Sequence, residues 1–354
     1  MRLEELDFDV PEELIAQEPL VPRDSCRLLH LTADGQRHHR PFSSLPDILR
    51  PGDTLVFNDS RVLPARIEGR RATGGRVELL FLRPTGDDSG RGERWEALAR
   101  PSHRLRTGEE VSLPGGEALR LDTRMGEGRW VVEGPPSRSL VTLMEEHGRL
   151  PLPPYIKSYP AEPGSYQTVY AATPGSAAAP TAGLHFTPEL LKRLEDAGVG
   201  SAYVTLHVGL DTFQPIRERT VEHHRIHREA FSVSAEALRT IRAARASGPR
   251  LVAVGTTATR VLETLAALGA LDQTSAMDQV SGSTDIYITP GYRFRAVDVL
   301  LTNFHLPRST VLALTMAFVG VERLRRAYAE AIAEGYRFFS FGDAMLAETR
   351  DADA

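Results

Sequence analysis

Apolar and polar residues follow two different patterns along this chain. Between Val62 and Gly134, short segments alternate apolar and polar residues, and glycine-rich turns separate them. Alternation with a period of two predicts strands, and closely spaced strands with glycine turns are typical of an antiparallel barrel or a small sandwich. The alternating strings are LPARIEGR, RVELLFLR, RWEALAR, EEVSL, EALRLDT and RWVVEG.

The rest of the chain alternates helical and extended patterns, which is typical of an α/β layer architecture. Helices are predicted over residues 11–17, 139–148, 188–198, 234–248, 257–269, 309–320 and 322–335, with a helical turn over 42–49. Strands are predicted over residues 27–31, 53–59, 202–208, 250–256, 284–288, 298–304 and 336–341.

The simplest architecture that accommodates both patterns is a main α/β domain with an inserted antiparallel β-barrel domain. The predicted α/β domain is discontinuous, with residues 1–60 and 150–354, and the predicted barrel covers 61–149. A length of 354 residues fits about two domains of ordinary size.

Composition narrows the class of protein. Hydrophobic residues make up 41% of the chain and charged residues 25%, which is enough apolar material for a buried core. No apolar run approaches the roughly 20 residues that span a bilayer, and the first residues lack the apolar core of a secretory signal. A single cysteine, Cys26, excludes disulfides and thiolate metal clusters within one chain. We therefore expect a cytoplasmic protein with no membrane association.

Charge is distributed unevenly. The net charge is −5, but eleven arginines and only six acidic residues lie between Arg61 and Arg106. A basic segment on an acidic body is typical of a protein that binds a polyanion. Arginine is abundant throughout, because only Lys157 and Lys192 among the 42 basic residues are lysines. An arginine-rich solvated surface is therefore the alternative interpretation.

Two polar stretches follow apolar segments in the first two thirds of the chain. Asn58, Asp59 and Arg61 come directly after a buried strand, where α/β sheets usually hold ligand contacts, although Asn, Asp and Ser also build turns. The string PTAGLHF contains Thr181, Gly183 and His185 in a loop of small residues. Small residues let a ligand approach the backbone, and a histidine there can move a proton near neutral pH. A hydrogen-bonded histidine beside a helix cap is the alternative.

The two histidine-containing stretches that follow are ambiguous. HVGLDTF places His207, Asp211 and Thr212 around a glycine after a strand, which fits a binding segment or a surface loop. Further on, His223 and His227 have the i, i+4 spacing that puts both rings on one helical face, with His224 and Glu229 nearby. A zinc or iron site is one interpretation. A ligand-binding or acid/base role and a solvated surface are the others.

Two strand-to-helix junctions complete the candidate chemistry. In VGTTATR, a strand passes through Gly255 into a helix that begins with Thr256 and Thr257 and continues to Arg260. The free N–H groups of such a helix suit a carboxylate or phosphate, unless Thr257 is simply an N-cap. The string is neither G-x-G-x-x-G nor a P-loop. TNFHLPRS, with Asn303 and His305, has the same character.

Taken together, these strings resemble the S-adenosylmethionine:tRNA ribosyltransferase-isomerases of queuosine biosynthesis. Eight strings match in order across nearly the whole chain. They are PGDTLVFNDSRVLPAR, LPLPPYI, YQTVYA, PTAGLHFT, HVGLDTF, VGTTATRVLET, TNFHLPRST and YRFFSFGDAML.

The resemblance implies a specific reaction. The family transfers and isomerises the ribosyl moiety of S-adenosylmethionine onto 7-aminomethyl-7-deazaguanine at the wobble position of tRNA. The products are epoxyqueuosine-tRNA, adenine and methionine. The implied fold is an α/β domain with an inserted β-barrel. S-adenosylmethionine is the ribosyl donor, no metal or other cofactor is expected, and the protein is expected to act as a monomer.

The resemblance also suggests roles for individual residues. His185 is the first choice for proton transfer, with Asp59 or His227 as the alternative catalytic base. The candidate substrate-binding residues are Asn58, Arg61, Thr181, Gly183, Phe186, His207, Thr212, Phe213, His224, Glu229, Gly255, Thr256, Thr257, Arg260, Asn303, His305 and Arg308. The candidate tRNA-binding residues are Arg66, Arg70, Arg71, Arg100, Arg104 and Arg106.

Other classes of function make different predictions. A metal-dependent hydrolase using His223, His224 and His227 would contain stoichiometric metal and lose activity to a chelator. A non-catalytic RNA-binding protein would bind RNA through the arginine-rich segment without binding S-adenosylmethionine. A methyltransferase would release S-adenosylhomocysteine instead of adenine, but no strand followed by G-x-G-x-G supports that class.

Overall fold

A computed structural model describes residues 1–85, 92–159, 164–209, 215–272, 275 and 277–349. The chain divides into two compact units. The first comprises Met1–Ser60, Pro154–Thr173 and the chain from Ala179 onward, and the second comprises Arg61–Pro153 and Pro174–Ala178. The second unit thus includes a short segment, 174–178, that lies outside the predicted 61–149. That each unit folds as an independent domain stays a prediction.

Regular structure is distributed as follows. The strands are β1 (Arg27–Leu31), β2 (Arg37–Pro41), β3 (Thr54–Asn58), β4 (Ser60–Val62), β5 (Arg66–Arg71), β6 (Arg76–Pro84), β7 (Arg94–Arg100), β8 (Glu110–Ser112), β9 (Ala118–Gly126), β10 (Arg129–Glu133), β11 (Gly148–Arg149), β12 (Thr173–Ser176), β13 (Gly200–Leu206), β14 (Glu229–Val233), β15 (Leu251–Val254), β16 (Val280–Thr284), β17 (Val299–Asn303) and β18 (Ala344–Glu348). The α-helices are α1 (Leu45–Ile48), α2 (Leu140–His147), α3 (Pro188–Asp196), α4 (Ala235–Ser247), α5 (Gly255–Ala267), α6 (Thr310–Val319) and α7 (Val321–Ala333).

The first unit is built on a mixed sheet of nine strands. Their order is β16-β14-β13-β3-β15-β17-β18-β1-β2. The four central strands β13, β3, β15 and β17 are parallel, so their carboxyl ends share one edge. Every residue of β3, β15 and β17 is buried, as expected for continuous apolar strands covered on both faces. Helix α5 packs on β3, β15 and β17.

The second unit contains a closed barrel of six antiparallel strands. Their order is β5-β6-β7-β10-β9-β8, and pairing of β8 with β5 closes the ring. Closure depends on Gly69, because a Cβ there would lie 2.4 Å from Cγ1 of Val111 on β8. The predicted class, an α/β fold with an inserted antiparallel β-barrel, is confirmed. None of the helices in the described part of the chain combines the length and apolar content needed to cross a membrane.

The aromatic segment 336–341 was expected to form a strand and does not. The last strand is Ala344–Glu348, and Phe338 contributes only an isolated bridge to Ile15. Phe338 packs against Phe304 with ring centroids 5.0 Å apart, and Phe339 has a φ of +70°, outside the extended region. The segment is apolar because its rings fill the core of the first unit.

Three other predicted elements differ from the structure. In place of the helix expected over 11–17, only a 3-10 turn, Glu12–Leu14, forms. The strand expected over 284–288 is instead Val280–Thr284. The expected helical face for His223 and His227 does not form, because only a single 3-10 turn, Val221–His223, precedes irregular chain and strand β14.

Candidate active site

The start of helix α5 is the centre of the candidate site. Strand β15 ends at Val254, and the helix begins at Gly255, whose φ of +88° suits a residue without a side chain. A Cβ at Gly255 would also lie 3.3 Å from Cβ of Ala182. Val254 provides no side-chain cap, whereas Ser309 caps the neighbouring α6. The first turn of α5 therefore keeps backbone donors and a positive dipole end available for an anion.

A first cleft of about 630 Å³ opens at this helix end. It is formed by residues at the carboxyl ends of β15 and β17 together with the loops packed beside them. Its lining residues are Tyr155, Ala179, Pro180, Thr181, Ala182, Val208, Gly255, Thr256, Thr257, Thr302, Asn303, Phe304, His305, Leu306, Val311, Phe339 and Ser340. The candidates Thr181, Gly255, Thr256, Thr257, Asn303 and His305 are thus brought together.

A second cleft of about 590 Å³ shares Thr256, Thr257 and Val311 with the first. It also brings together the candidates His224, His227, Glu229 and Arg260. The hydroxyl of Thr257 is buried and has no hydrogen-bond partner within the described chain. Both clefts therefore meet at a helix start where one polar side-chain atom is unsatisfied.

Asn303 connects the first cleft with His185. Its Nδ2 group donates to Nε2 of His185 at 3.0 Å and to the carbonyl oxygen of Phe339 at 3.1 Å. Both amide hydrogens are then used, and Oδ1 accepts from the Thr181 hydroxyl at 3.3 Å. Since an amide oxygen can accept two hydrogen bonds, Oδ1 retains one acceptor position.

His185 differs from its expected role as a proton carrier near neutral pH. Because Nε2 accepts from Asn303, the ring proton is on Nδ1, which faces Sγ of Cys26 at 3.3 Å. Burial, with smaller contributions from Arg337 and Arg23, lowers the pKa of His185 to about 3. The ring lines a smaller cavity of about 210 Å³ with Cys26 and not the two clefts. It is a neutral, fixed imidazole at pH 7.

His305 lines the first cleft and is also neutral. Burial lowers its pKa to about 3. Its Nε2 atom lies 2.8 Å from the Thr302 hydroxyl, and its backbone N–H donates to the Tyr328 hydroxyl at 2.9 Å. These contacts fix the ring at the cleft wall.

Arg260 is not a free cation in the second cleft, contrary to its expected role in an anion cradle. Its guanidinium forms a buried ion pair with Glu229, and it also donates to the carbonyl oxygen of Ile286 at 3.3 Å. Glu229 accepts in addition from the backbone N–H of Gly209 at 2.8 Å. The pair neutralises its own charge, so Arg260 supplies no free cation, and the candidate anion-binding groups are Arg225, which also lines this cleft, and the start of α5.

The residues of the first polar stretch, Asn58, Asp59 and Arg61, differ in their burial and in their contacts. Asn58 is fully buried and exchanges hydrogen bonds with the backbone of Leu206 at 3.0 Å, so it joins β3 to β13 and does not reach a cleft. Asp59 is half-buried and accepts from the Thr205 hydroxyl at 2.6 Å. Arg61, in the second unit, pairs with Glu145 at 2.9 Å.

Several other candidates lie away from the two clefts. Phe186 belongs to the core, with its ring 5.0 Å from that of Phe57. Gly183 is buried, and a Cβ there would lie 1.8 Å from the Tyr170 hydroxyl. His207 is half-buried, its Nδ1 has no hydrogen-bond partner among the described residues, and burial lowers its pKa. Arg308 pairs with Asp7. Thr212 and Phe213, like Asp211, lie outside the described residues.

The histidine cluster does not form the metal arrangement that was one interpretation of its spacing. Within the described chain, His223, His224 and His227 are not among the side chains whose ligand atoms converge. Nδ1 of His224 pairs with Glu218 at 2.8 Å, and His223 is exposed. The i, i+4 argument was wrong here because it requires a helix, and the segment is irregular.

The candidate tRNA-binding arginines of the second unit fall into two groups. Arg66 pairs with Glu78 at 3.0 Å, and Arg71 forms a two-point contact with Glu109. The others are exposed, and within the described chain none of their guanidinium groups lies within 4.0 Å of a carboxylate. They are Arg70, Arg100, Arg104 and Arg106.

Sequence reasoning missed part of the first cleft wall. Tyr155, Phe339 and Ser340 all line it, and the hydroxyl groups of Tyr155 and Ser340 are 2.6 Å apart. Burial raises the pKa of Tyr155 to about 12. The signal was present, since the strings LPLPPYI and YRFFSFGDAML contain these residues, but an apolar segment beside prolines or phenylalanines does not reveal which side chain faces a cavity.

Comparison with known proteins agrees with the fold and the strings. The family model described as queuosine biosynthesis protein matches residues 3–347. A protein of Rubrobacter xylanophilus named S-adenosylmethionine:tRNA ribosyltransferase-isomerase is 52% identical over 98% of this chain and 97% of its own length. One of the same name from Moorella thermoacetica is 50% identical over 98% of this chain and 99% of its own.

A solved structure extends the similarity to three dimensions. The crystal structure of S-adenosylmethionine tRNA ribosyltransferase from Thermotoga maritima matches with a TM-score of 0.54 and 36% identity, covering 97% of this chain and 99% of that one. The chain belongs to the queuosine biosynthesis family.

Proposed function

We propose that this protein is an S-adenosylmethionine:tRNA ribosyltransferase-isomerase. It transfers and isomerises the ribosyl moiety of S-adenosylmethionine onto 7-aminomethyl-7-deazaguanine at the wobble position of tRNA, and it releases adenine and methionine. The observation that carries the proposal is the first cleft. In a chain of this family, it combines an uncapped helix start with neutral polar groups at the carboxyl ends of parallel strands.

The start of α5 is the proposed site for the methionine carboxylate. Backbone N–H groups and the helix dipole attract an anion. The Thr257 hydroxyl, which has no partner within the described chain, offers a further donor if its side chain rotates toward the ligand. The remaining acceptor position on Asn303 Oδ1 suits a ribose hydroxyl or the adenine amino group. The walls formed by Tyr155, Phe304 and Phe339 are apolar enough to exclude water.

Proton transfer requires a base whose side chain faces a cleft. The sulfonium acidifies the neighbouring ribose C5′ hydrogens, so a positioned base can remove one of them. With His185 neutral and held by two partners, His227 takes the proposed role, because its side chain lines the second cleft. Asp59 is the alternative. His185 then acts as a positioning residue that orients Asn303.

The tRNA is proposed to contact the exposed arginines of the second unit and to splay its wobble base out of the anticodon loop into the active site. S-adenosylmethionine serves as a substrate, and no further cofactor is required by the proposed chemistry. Since both substrates are made and used inside the cell, the proposed location is the cytoplasm. A monomer is proposed because no part of the suggested site calls for a second copy.

The decisive test is to incubate the protein with S-adenosylmethionine and tRNA carrying the aminomethyl-deazaguanine, and to measure free adenine by chromatography. We expect adenine and modified tRNA in equal amounts. S-adenosylhomocysteine instead of adenine would identify a methyltransferase. RNA binding without S-adenosylmethionine binding in calorimetry would identify a binding protein. A hydrolytic activity that a chelator abolishes, with no release of adenine, would favour the metal-dependent hydrolase.

The role of His227 has a matched control in the same segment. His227 and His223 are both exposed, but only His227 lines the second cleft. We expect His227→Ala to reduce adenine release at least ~100-fold and His223→Ala to leave it unchanged, with tRNA binding retained in both. Equal activity of the two variants would transfer the role to Asp59.

A further inference from the structure

Three potential metal ligands converge in the second unit, away from the clefts. Glu146 and His147 end helix α2, and Glu117 follows the turn between β8 and β9. One ligand atom from each lies within 4.8 Å of the other two. Nε2 of His147 is 3.8 Å from Oε2 of Glu117 and 3.8 Å from Oε2 of Glu146. One imidazole nitrogen and two carboxylate oxygens form a donor set that zinc accepts in proteins.

The converging atoms lack the partners that a buried polar group needs. Oε2 of Glu117 and Nε2 of His147 are both buried and have no hydrogen-bond partner within the described chain. At 3.8 Å, Nε2 of His147 is too far from either carboxylate oxygen to form a hydrogen bond with it. A cation bound between the three groups would give these ligand atoms a partner and would account for their separation.

The other carboxylate oxygens are already occupied. Arg138 donates to Oε1 of Glu117 through one guanidinium nitrogen and to Oε1 of Glu146 through another. This bridge holds both carboxylates so that their Oε2 atoms face His147. The guanidinium of Arg138 offsets the charge of only one of the two carboxylates, so the other is left to attract a dication.

The backbone beside the cluster leaves room for it. A Cβ added at Gly115 would lie 2.4 Å from Oε2 of Glu117 and 3.2 Å from Cε1 of His147. Any side chain at this position would displace the two groups that are unsatisfied. Gly115 therefore keeps open the space in which these ligand atoms meet.

We propose that Glu117, Glu146 and His147 bind a divalent cation, zinc by the donor set, with water at the fourth position. Ligand atoms around tetrahedral zinc are roughly 3.3 Å apart, so the observed 3.8 Å separations close with small rotations. Glu146, which is 46% exposed, can make such a movement. The cation would join the end of α2 to the β8–β9 turn and stabilise the barrel. This proposal is independent of the proposed reaction.

The test uses the full chain after chelator treatment and titration calorimetry with zinc chloride alone. We expect one zinc per chain and a rise in the melting temperature on binding. His147→Gln and Glu146→Gln should each weaken zinc binding at least tenfold and abolish that rise. Glu145→Gln is the matched control, because Glu145 is in the same helix, is 44% exposed and pairs with Arg61 instead. It should stay within twofold of the unmodified protein.

Two outcomes would overturn the proposal. One is the absence of saturable zinc binding by the unmodified protein. The other is zinc binding that survives in both His147→Gln and Glu146→Gln, which would place the cation elsewhere, for example at the exposed histidines near residue 224. If His147→Gln does not fold, as judged by circular dichroism, the comparison of Glu146→Gln with Glu145→Gln still decides the question.

Discussion

The two units of this protein present their polar residues in opposite ways. In the α/β unit, the candidate residues at the start of α5 and at the end of β17 are buried, with Asn303 2% exposed and Thr256 and Thr257 9% exposed each, whereas His227 is exposed. In the barrel unit, Arg70, Arg100, Arg104 and Arg106 project into solvent. A buried polar group acts through a few fixed contacts, whereas an exposed charge acts through a field that salt screens.

This difference sets the scale of mutational effects. Removing one fixed, desolvated hydrogen-bonding group from a catalytic site costs roughly 3 kcal/mol, whereas one exposed charge contributes about 1 kcal/mol or less. A single substitution at a buried residue of the α/β unit should therefore have a large effect on activity. In the barrel, several arginines must be replaced together before the effect on binding is large. Each experiment below can break that distinction.

The largest effect is expected for Asn303→Ala. The substitution removes the groups that hold His185 and the Phe339 carbonyl oxygen, together with the acceptor that faces the first cleft. We expect kcat/KM for adenine release to fall at least ~100-fold. Thr315→Val is the control, because Thr315 is buried and lines neither cleft, and the substitution removes one side-chain hydrogen bond, to the carbonyl oxygen of Val311. Turnover within threefold of the unmodified protein would show that Asn303 is only structural.

A second effect concerns stability in acid. Since the folded-state pKa of His185 is about 3 and its ordinary value is 6.5, the unfolded chain takes up the proton first as the pH falls. The stabilisation is therefore complete above pH 6.5 and is lost progressively toward pH 3. At pH 5.0 the free energy of unfolding is lower by about 2 kcal/mol because of His185. In His185→Gln, the difference in the free energy of unfolding between pH 7.5 and pH 5.0, measured by urea unfolding, should be smaller by that amount.

The barrel supplies the control for this pH effect. His103→Gln is the matched substitution of an exposed histidine, and its unfolding free energy is measured at the same two pH values. An unchanged pH dependence in His185→Gln would mean that the ring is solvated in the folded protein.

Much of the fold could be predicted from periodicity alone. The strand Arg27–Leu31 was predicted at both ends, and the helices α3 to α7 were predicted within about two residues, because an apolar face repeats in each of them. The segment 336–341 shows where periodicity is insufficient. Its aromatic residues are apolar for packing reasons, and only tertiary contacts distinguish a buried irregular segment from a strand.

The sequence was sufficient to predict which segments lie at the candidate site. It was not sufficient to predict which side chains of those segments face a cleft. Polar residues after parallel strands were expected to lie close together, and Asn303 and Thr256 do line one cleft. The same rule included Asn58, whose side chain instead joins two strands. The partners that decide such cases are remote in sequence: 118 residues separate Asn303 from His185, and 31 separate Arg260 from Glu229.

An intermediate effect is expected for Thr257→Val at the start of α5. Loss of the unpartnered hydroxyl should weaken S-adenosylmethionine binding about tenfold in calorimetry, which corresponds to one hydrogen bond to a charged group. Stability should not decrease, because a buried hydroxyl without a partner is replaced by a methyl group. Thr264→Val, two turns further along the helix, should leave the affinity for S-adenosylmethionine unchanged. Equal affinities would remove the helix start from the ligand site.

The smallest single effects belong to the barrel arginines. Arg100→Gln, Arg104→Gln and Arg106→Gln should each weaken tRNA binding only severalfold. Each should also reduce the slope of log affinity against log salt by about 0.7 to 0.9 if it contacts one phosphate. The triple variant should show the sum of the three single effects, because exposed charges act additively.

Arg71→Gln is the informative comparison, since the Glu109 carboxylate already neutralises the charge of Arg71. It should lower the stability of the barrel while leaving the salt slope unchanged. A salt slope that is equally unchanged in the triple variant would assign these exposed arginines to surface composition and locate tRNA recognition in the α/β unit.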